Sequence, residues 1–221
     1  MITDKAKFCK KVIVLAALFT TIFPVVYVGA TMGNVNNFIY SEDQFAGDKD
    51  SAMNYFLKYR AEGYPAKYTE RPKSIYGLQQ HIKYSESVFI SCHGTKDGSE
   101  LLLDSYGSKI IFGTFDVPSG MNCKLAYISA CRGAQNNVNT GKNLCIDLIN
   151  NGYKAAVGYS DDVRTSLSRM YECEFFFNLA EGKSVYGALD ATNKYLKDEY
   201  KNLFDEIIDS VERFGDLGVK P

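Results

Sequence analysis

The chain has no tryptophan, only two histidines, and no pair of cysteines with the C-x-x-C spacing. Because that spacing is missing and His81 and His93 lie far apart, the usual structural zinc sites are excluded. Basic residues are not in excess, since 25 Lys and Arg stand against 26 Asp and Glu. We therefore expect no nucleic-acid partner, no metal and no cofactor. What the chain does have is 16 Tyr and 14 Phe, ample material for one hydrophobic core.

The amino-terminal residues combine a basic start with a charge-free apolar run. Four lysines precede residues 12–30, VIVLAALFTTIFPVVYVGA, which end on small residues before the pattern breaks. This order is typical of a secretory signal. The run also approaches the roughly 20 residues that span a bilayer, so a membrane tether through residues 12–30 is the alternative, although Pro24 argues against an uninterrupted helix. We expect residues 1–30 to be cleaved and the mature protein to be secreted or extracytoplasmic, beginning at Thr31.

The cysteine content of the remaining chain points to a free thiol. Without residues 1–30, which hold four Lys and one Asp, 21 basic and 25 acidic residues remain, a net charge of −4. Five cysteines also remain, namely Cys92, Cys123, Cys131, Cys145 and Cys173. An odd number in an exported protein leaves at least one thiol unpaired within the monomer, or paired between chains.

Strand and helix patterns alternate along residues 31–221. The predicted strands are VNNFIY, AKYT, SVFIS, KLAYISA and KAAVGYS, and ELLLDSYGSKIIF reads as a β-hairpin. The predicted helices are DKDSAMNYFLKYRAEGY, RPKSIYGLQQHIKYS, TGKNLCIDLINNGY, DDVRTSLSRMYECEFFFNLAEG and SVYGALDATNKYLKDEYKNL. We expect one α/β domain over residues 31–221, with a mostly parallel sheet covered by helices on both faces.

Two reactive side chains follow two successive predicted strands. His93 comes just after SVFIS, and Cys131 comes just after KLAYIS, 38 residues later. Ligands of parallel α/β sheets gather at the carboxyl ends of the strands, so both residues should lie on the same rim. A thiolate attacks carbonyl carbon and an imidazole carries the proton, while Gly94 permits close approach of backbone to a substrate. Either residue alone is commonplace, but the pair fits acyl transfer.

The same residues resemble a known family. FISCHG followed by YISAC is similar to the caspase-like cysteine peptidases, and the stretch over residues 87–200 most resembles their CHAT branch, which groups separase and caspase relatives. The resemblance implies a caspase-like three-layer sandwich. It also implies that Cys131 is the nucleophile, that His93 is the general acid–base group, and that the N–H groups of Gly94 and Cys131 form an oxyanion hole. Ser129 stands where caspases have Gln and other branches have an acidic residue, so neither branch's residue preference transfers.

Three further residues are candidates for substrate binding. Ser129 precedes the cysteine by two positions, and Asp161 and Asp162 follow the KAAVGYS strand on the same predicted rim. The acidic pair could receive a basic side chain, or it could simply cap the following helix, which is the interpretation that we favour. Cys92 should point away from the rim into the core, because side chains alternate along a strand.

The sequence thus predicts an exported cysteine endopeptidase that cleaves protein or peptide substrates. One alternative is a catalytically silent caspase-like module that binds a protein partner. Another is a secreted binding domain held by disulfides, which would require Cys131 to be paired.

Overall fold

A computed structural model describes residues 37–41, 67–68, 74–105, 108–119 and 124–221. These residues belong to one compact unit, Asn34–Pro221. The apolar segment 12–30, the helix predicted over residues 48–64 and Cys123 lie outside the described residues. Within the described part of the chain, no helix combines the length and the apolar character needed to cross a membrane.

The described strands form a larger sheet in the order β2-β1-β3-β7-β8-β9. Its strands are β1 (Asn37–Ser41), β2 (Lys67–Tyr68), β3 (Ser87–Ser91), β7 (Leu125–Ser129), β8 (Ala155–Tyr159) and β9 (Val211–Gly215). All neighbours are parallel except β8 and β9, which are antiparallel. The predicted adjacency of SVFIS and KLAYIS is confirmed, since β3 and β7 pair from Ser87↔Leu125 to Ser91↔Ser129.

The described helices follow the predicted pattern, with shifted boundaries. They are α1 (Ile75–Tyr84), α2 (Leu144–Asn150), α3 (Thr165–Ala180), α4 (Val185–Tyr200) and α5 (Asp205–Ser210). Polar side chains begin three of them: Ser74, Asn143 and Ser184 each accept a hydrogen bond from a backbone N–H of the first turn. Such caps satisfy amide groups that have no partner within the helix.

Each face of the larger sheet is covered by its own helices. On one face Phe89, Tyr127 and Val157 pack with apolar residues of α3, α4 and α5. On the other face Ile90 and Ile128 pack with residues of α1 and α2. Every residue of β3, β7 and β8 is buried, as expected for parallel strands covered on both sides. The predicted three-layer α/β architecture is confirmed.

One core face contains a chain of buried hydroxyl groups. The hydroxyl of Tyr159 donates to the carboxylate of Glu172 at 2.9 Å, and the hydroxyls of Tyr127 and Tyr159 are 3.0 Å apart. Burial, and then the nearby Glu172 charge, raise the pKa of both tyrosines well above the ordinary value. Both phenols therefore stay protonated and hydrogen-bonded, which satisfies polar atoms that would otherwise be costly to bury.

A smaller antiparallel sheet follows β3. It consists of β4 (His93–Gly94), β5 (Leu101–Ser105) and β6 (Ser108–Phe112), in that order. The predicted hairpin is confirmed, because β5 and β6 pair antiparallel from Leu101↔Phe112 to Ser105↔Ser108. His93 itself belongs to this sheet, so the chain leaves the larger sheet between Ser91 and His93.

Candidate active site

The parallel pairing of β3 and β7 sets the frame of the site. The two strands end opposite one another at Ser91 and Ser129. The backbone continues the pairing for one more residue, because the N–H of Cys92 donates to the carbonyl of Ser129 at 3.2 Å. His93 and Cys131 therefore follow two strand ends that are hydrogen-bonded neighbours.

The backbone of Gly94 lies directly against Cys131. A Cβ atom added to Gly94 would collide with the carbonyl oxygen of Cys131, and would lie 2.8 Å from its carbonyl carbon and 3.6 Å from its Cα. Since a carbon–carbon bond is about 1.5 Å long, the two Cα atoms lie within about 5 Å of one another. Only glycine permits this approach. The residue that follows the histidine is thus packed on the residue proposed as nucleophile.

The sulfur of Cys131 lies against the loop after β8. The N–H of Val163 donates to Sγ at 3.4 Å, and the thiol lies 3.7 Å from the carbonyl oxygen of the same residue. Val163 directly precedes Arg164, the residue at the amino terminus of the 16-residue helix α3. The thiol of Cys131 therefore accepts a hydrogen bond from the Val163 N–H and donates one to the Val163 carbonyl, which fixes the sulfur beside this loop. Among the described cysteines, Cys131 is a free, half-buried thiol.

The turn after Cys131 is held by Arg132, whose backbone and side chain bind two other loops, the one between β4 and β5 and the one after β8. Its φ of 57° is in the left-handed region, which is costly for a residue with a Cβ. Its N–H donates to the carbonyl of Asp161 at 3.0 Å, and its carbonyl accepts from the N–H of Ser99 at 2.9 Å. The guanidinium donates to the carbonyl of Lys96 at 3.1 Å and to Asp162 at 2.9 Å. These bonds hold the strained turn in one conformation.

The three candidate substrate-binding residues have different environments. Ser129 is buried at the end of β7, so it would influence a substrate only indirectly, by positioning the strand end that precedes Cys131. Asp162 is exposed and forms an ion pair with Arg132. Asp161 is also exposed, and its carboxylate accepts from the N–H of Asp162 at 2.7 Å. Both aspartates thus lie beside the turn that follows Cys131.

The favoured helix-cap interpretation of the two aspartates is wrong. Helix α3 begins at Thr165, its N-cap residue is Arg164, and no side chain caps it. The carboxylate of Asp162 instead pairs with the Arg132 guanidinium from another loop, because five residues separate the end of β8 from the start of the helix and Asp162 is the middle one of them. Local composition could not reveal that partner.

The other described cysteines have structural environments. Cys92 is buried among Ile90, Ile128 and their neighbours, which confirms its predicted place in the core. Cys145 is also buried, and burial followed by the charge of Glu212 raises its pKa from 9.0 to about 12. That thiol stays protonated and inert near neutral pH. Among the described residues, no group of three His, Cys, Asp or Glu side chains could hold a metal ion.

Sequence reasoning missed two contributors to the site. The N–H of Val163 could not be identified, because a backbone donor leaves no trace in the sequence and lies 32 residues from Cys131. Arg132 was not identified either, although Gly133 shortly after a predicted strand is a signal for a tight turn there.

The fold resembles that of solved cysteine proteinases. The crystal structure of the Arg-specific cysteine proteinase gingipain R superimposes with a TM-score of 0.57 at 14% sequence identity, covering 84% of this chain and 47% of that one. The complex of the Porphyromonas gingivalis RgpB pro- and mature domains gives a TM-score of 0.61 at 14% identity, covering 84% and 48%. The chain has a caspase-like fold.

The likeness is one of architecture. The chain spans about half the length of each of these gingipain structures. No family model matches the sequence, and no curated protein matches it. The predicted caspase-like sandwich is confirmed, whereas membership of the CHAT branch stays a prediction.

Proposed function

We propose that this chain is a cysteine endopeptidase, with Cys131 as nucleophile and His93 as general acid–base group. The observation that carries the proposal is the contact of Gly94 with Cys131, which brings the backbone after the histidine onto the cysteine. The contact of Sγ with the backbone of Val163 supports it further, because it holds the sulfur beside the loop after β8, at the carboxyl ends of the parallel strands.

In the first step, the thiolate of Cys131 attacks the carbonyl carbon of the peptide bond. A carbon–sulfur bond forms, and the oxygen takes the negative charge. The imidazolium of His93 then gives its proton to the leaving nitrogen, the carbon–nitrogen bond breaks, and the amine product departs. In the second step, His93 takes a proton from water, the hydroxide attacks the thioester, and cleavage of the carbon–sulfur bond releases the acid and restores the thiolate.

The oxyanion that forms in both steps requires hydrogen-bond donors. We assign that role to the N–H groups of Gly94 and Cys131, whose backbones are in contact. Among the described residues, no backbone carbonyl accepts a hydrogen bond from the N–H of Cys131. That group is therefore available to a substrate oxygen.

We also propose where a substrate side chain would bind. The ion pair of Asp162 with Arg132 already occupies one carboxylate, so Asp161 is the better acceptor for a basic side chain. Replacing Asp161 with Asn should then reduce cleavage after Arg or Lys in a positional peptide library. An unchanged profile would remove Asp161 from the binding site.

The decisive experiment compares three variants. Cys131→Ala should abolish peptide cleavage, and His93→Ala should reduce it by orders of magnitude, because both belong to one catalytic unit. Cys92→Ala is the matched control, since it removes a thiol that directly follows the end of β3 but lies buried in the core. It should reduce stability by about 1 kcal/mol and leave the rate nearly unchanged.

Labelling provides an independent measurement. A thiol-directed peptide electrophile should modify Cys131 alone, as located by mass spectrometry of the digested protein. Folded Cys131→Ala that cleaved peptides as fast as the wild type would refute the peptidase proposal and favour the catalytically silent binding module.

We further propose export and the CHAT branch on the sequence patterns alone. Residues 1–30 would be removed during secretion, so the secreted protein should begin at Thr31 when its amino terminus is determined. Recovery of the intact chain from membranes only would instead favour a tether through residues 12–30.

A further inference from the structure

In the small antiparallel sheet, His93 is the first member of a row of neighbouring side chains, and the other two members are apolar. In the antiparallel pairing His93 lies opposite Leu102, and Leu102 lies opposite Ile111. Directly opposed residues point to the same side of a sheet, so the three side chains form one cross-strand row. Neighbouring Cβ atoms in such a row are about 5 Å apart, which places Leu102 beside the histidine and Ile111 one strand farther.

The two faces of this sheet differ sharply in burial. One face is packed into the core through Leu101, Leu103, Ile110 and Phe112. The face with the row is open, since His93 is exposed, Leu102 is half-buried and the side chain of Ile111 is 52% exposed. A solvent-facing side of an antiparallel sheet is ordinarily polar. Two large aliphatic side chains beside an exposed histidine are therefore unusual on this face.

The reaction determines which part of a substrate reaches the row. The general acid must lie within hydrogen-bonding reach of the leaving nitrogen. The residue that carries this nitrogen is the one directly after the cleaved bond, so it lies on the histidine side of the site. Among the described strands of this sheet, the neighbour of His93 in the row is Leu102, and the next residue is Ile111.

We propose that Leu102 and Ile111 form the subsite for the residue directly after the cleaved bond, and that this subsite selects an aliphatic or aromatic side chain. The inference rests on the proposed peptidase function. One leucine side chain is large enough to contact two aliphatic neighbours that are about 5 Å apart. Contacts of a few methylene groups give selectivities of about tenfold or more.

The test uses two peptides that are identical up to the cleaved bond and differ only in the next residue, Leu or Ser. The sequence that the two peptides share before the cleaved bond is chosen by cleaving a positional peptide library with the wild type. The working sites of every preparation are counted by titration with a thiol-directed peptide electrophile. The wild type should cleave the Leu peptide with a kcat/KM about tenfold above that for the Ser peptide.

The variants Leu102→Thr and Ile111→Thr remove the aliphatic surface and retain a β-branched residue suited to a strand. Each should lower the Leu/Ser ratio to about threefold or less, a loss of most of the roughly tenfold selectivity. Leu203→Thr is the matched control, because Leu203 is 53% exposed and lies in a short 3-10 helix far along the chain. It should retain the wild-type ratio.

Four outcomes would overturn the inference. A wild type that cleaves through Cys131 but does not distinguish the two peptides would exclude the subsite and leave the peptidase proposal intact. Variants that keep the full ratio would exclude Leu102 and Ile111. A change of sedimentation coefficient in Ile111→Thr with an unchanged ratio would show that this face joins two copies of the chain. Cleavage by Cys131→Ala would refute the underlying function itself.

Discussion

Replacing Gly94 with alanine tests the contact on which the site depends. Real Cβ atoms essentially never approach other heavy atoms within 3.0 Å, and the new methyl group would lie far inside that limit from the carbonyl of Cys131. The obstacle is backbone rather than the end of a flexible side chain. Strand β4 and the turn at Cys131 would therefore have to separate by roughly 1 Å or more.

The separation should affect activity and stability differently. Overpacking of this kind costs about 1–3 kcal/mol of the free energy of unfolding. For a domain of this size, that loss lowers Tm by roughly 2–12 °C. A displacement of about 1 Å between reacting groups can reduce the rate about 100-fold. We therefore expect Gly94→Ala to fold at 25 °C but to show a kcat/KM about 100-fold below the wild type.

The same substitution elsewhere in the chain supplies the control. In helix α4 a Cβ on Gly187 would meet its nearest atoms at 3.5 and 3.6 Å, which are ordinary contacts. Gly187→Ala should raise the free energy of unfolding by about 0.5–1 kcal/mol and leave kcat/KM unchanged. The assays are urea unfolding and peptide cleavage with both variants side by side. Wild-type stability and rate in Gly94→Ala would refute the close approach of the two backbones.

Two further predictions concern Arg132 and Cys145. Arg132→Ala should cost about 1–2 kcal/mol, because it removes the hydrogen bond to Lys96 and an exposed ion pair with Asp162. Arg132→Gly should be at least as stable as Arg132→Ala in urea unfolding, because glycine adopts the φ of 57° without strain; a clearly less stable glycine variant would contradict the backbone geometry. Burial raises the pKa of Cys145 from 9.0 to about 12, so the unfolded chain loses this proton first as the pH rises. Between these two pKa values the free energy of unfolding falls by about 1.4 kcal/mol per pH unit. Cys145→Ala should remove that contribution in unfolding experiments from pH 8 to about 10.5, and identical slopes in both proteins would show that the thiol is not buried.

The sequence by itself determined the layered architecture and the placement of the two reactive residues. Buried parallel strands are continuous apolar runs, and helices repeat their apolar positions every three or four residues, so both signals are local. Since SVFIS and KLAYIS both have the buried-strand pattern, His93 and Cys131 could be assigned to one rim. The core position of Cys92 followed from the alternation of side chains along the same strand.

The tertiary structure decided the features that depend on residues distant in sequence. Strand β9, which pairs antiparallel with β8, was not predicted, because the exposed Glu212 and Arg213 interrupt its apolar pattern and its partner lies more than 50 residues away. The partner of Asp162 was also misjudged, since a carboxylate near a helix start is ordinarily a cap and only folding brings Arg132 within 2.9 Å.

The geometry of the site also depends on residues that are distant in sequence. The sequence pattern predicts only that His93 follows a parallel strand, whereas its register with Leu102 places it in a second sheet, in a row with apolar side chains. The left-handed position of the turn after Cys131 is held by Arg132 rather than by a glycine, and hydrogen bonds from two other loops offset its strain. Local sequence patterns were therefore enough to predict that the histidine and the cysteine follow neighbouring strands. The residues that surround them were determined by contacts between loops, because such contacts form only when the whole chain has packed.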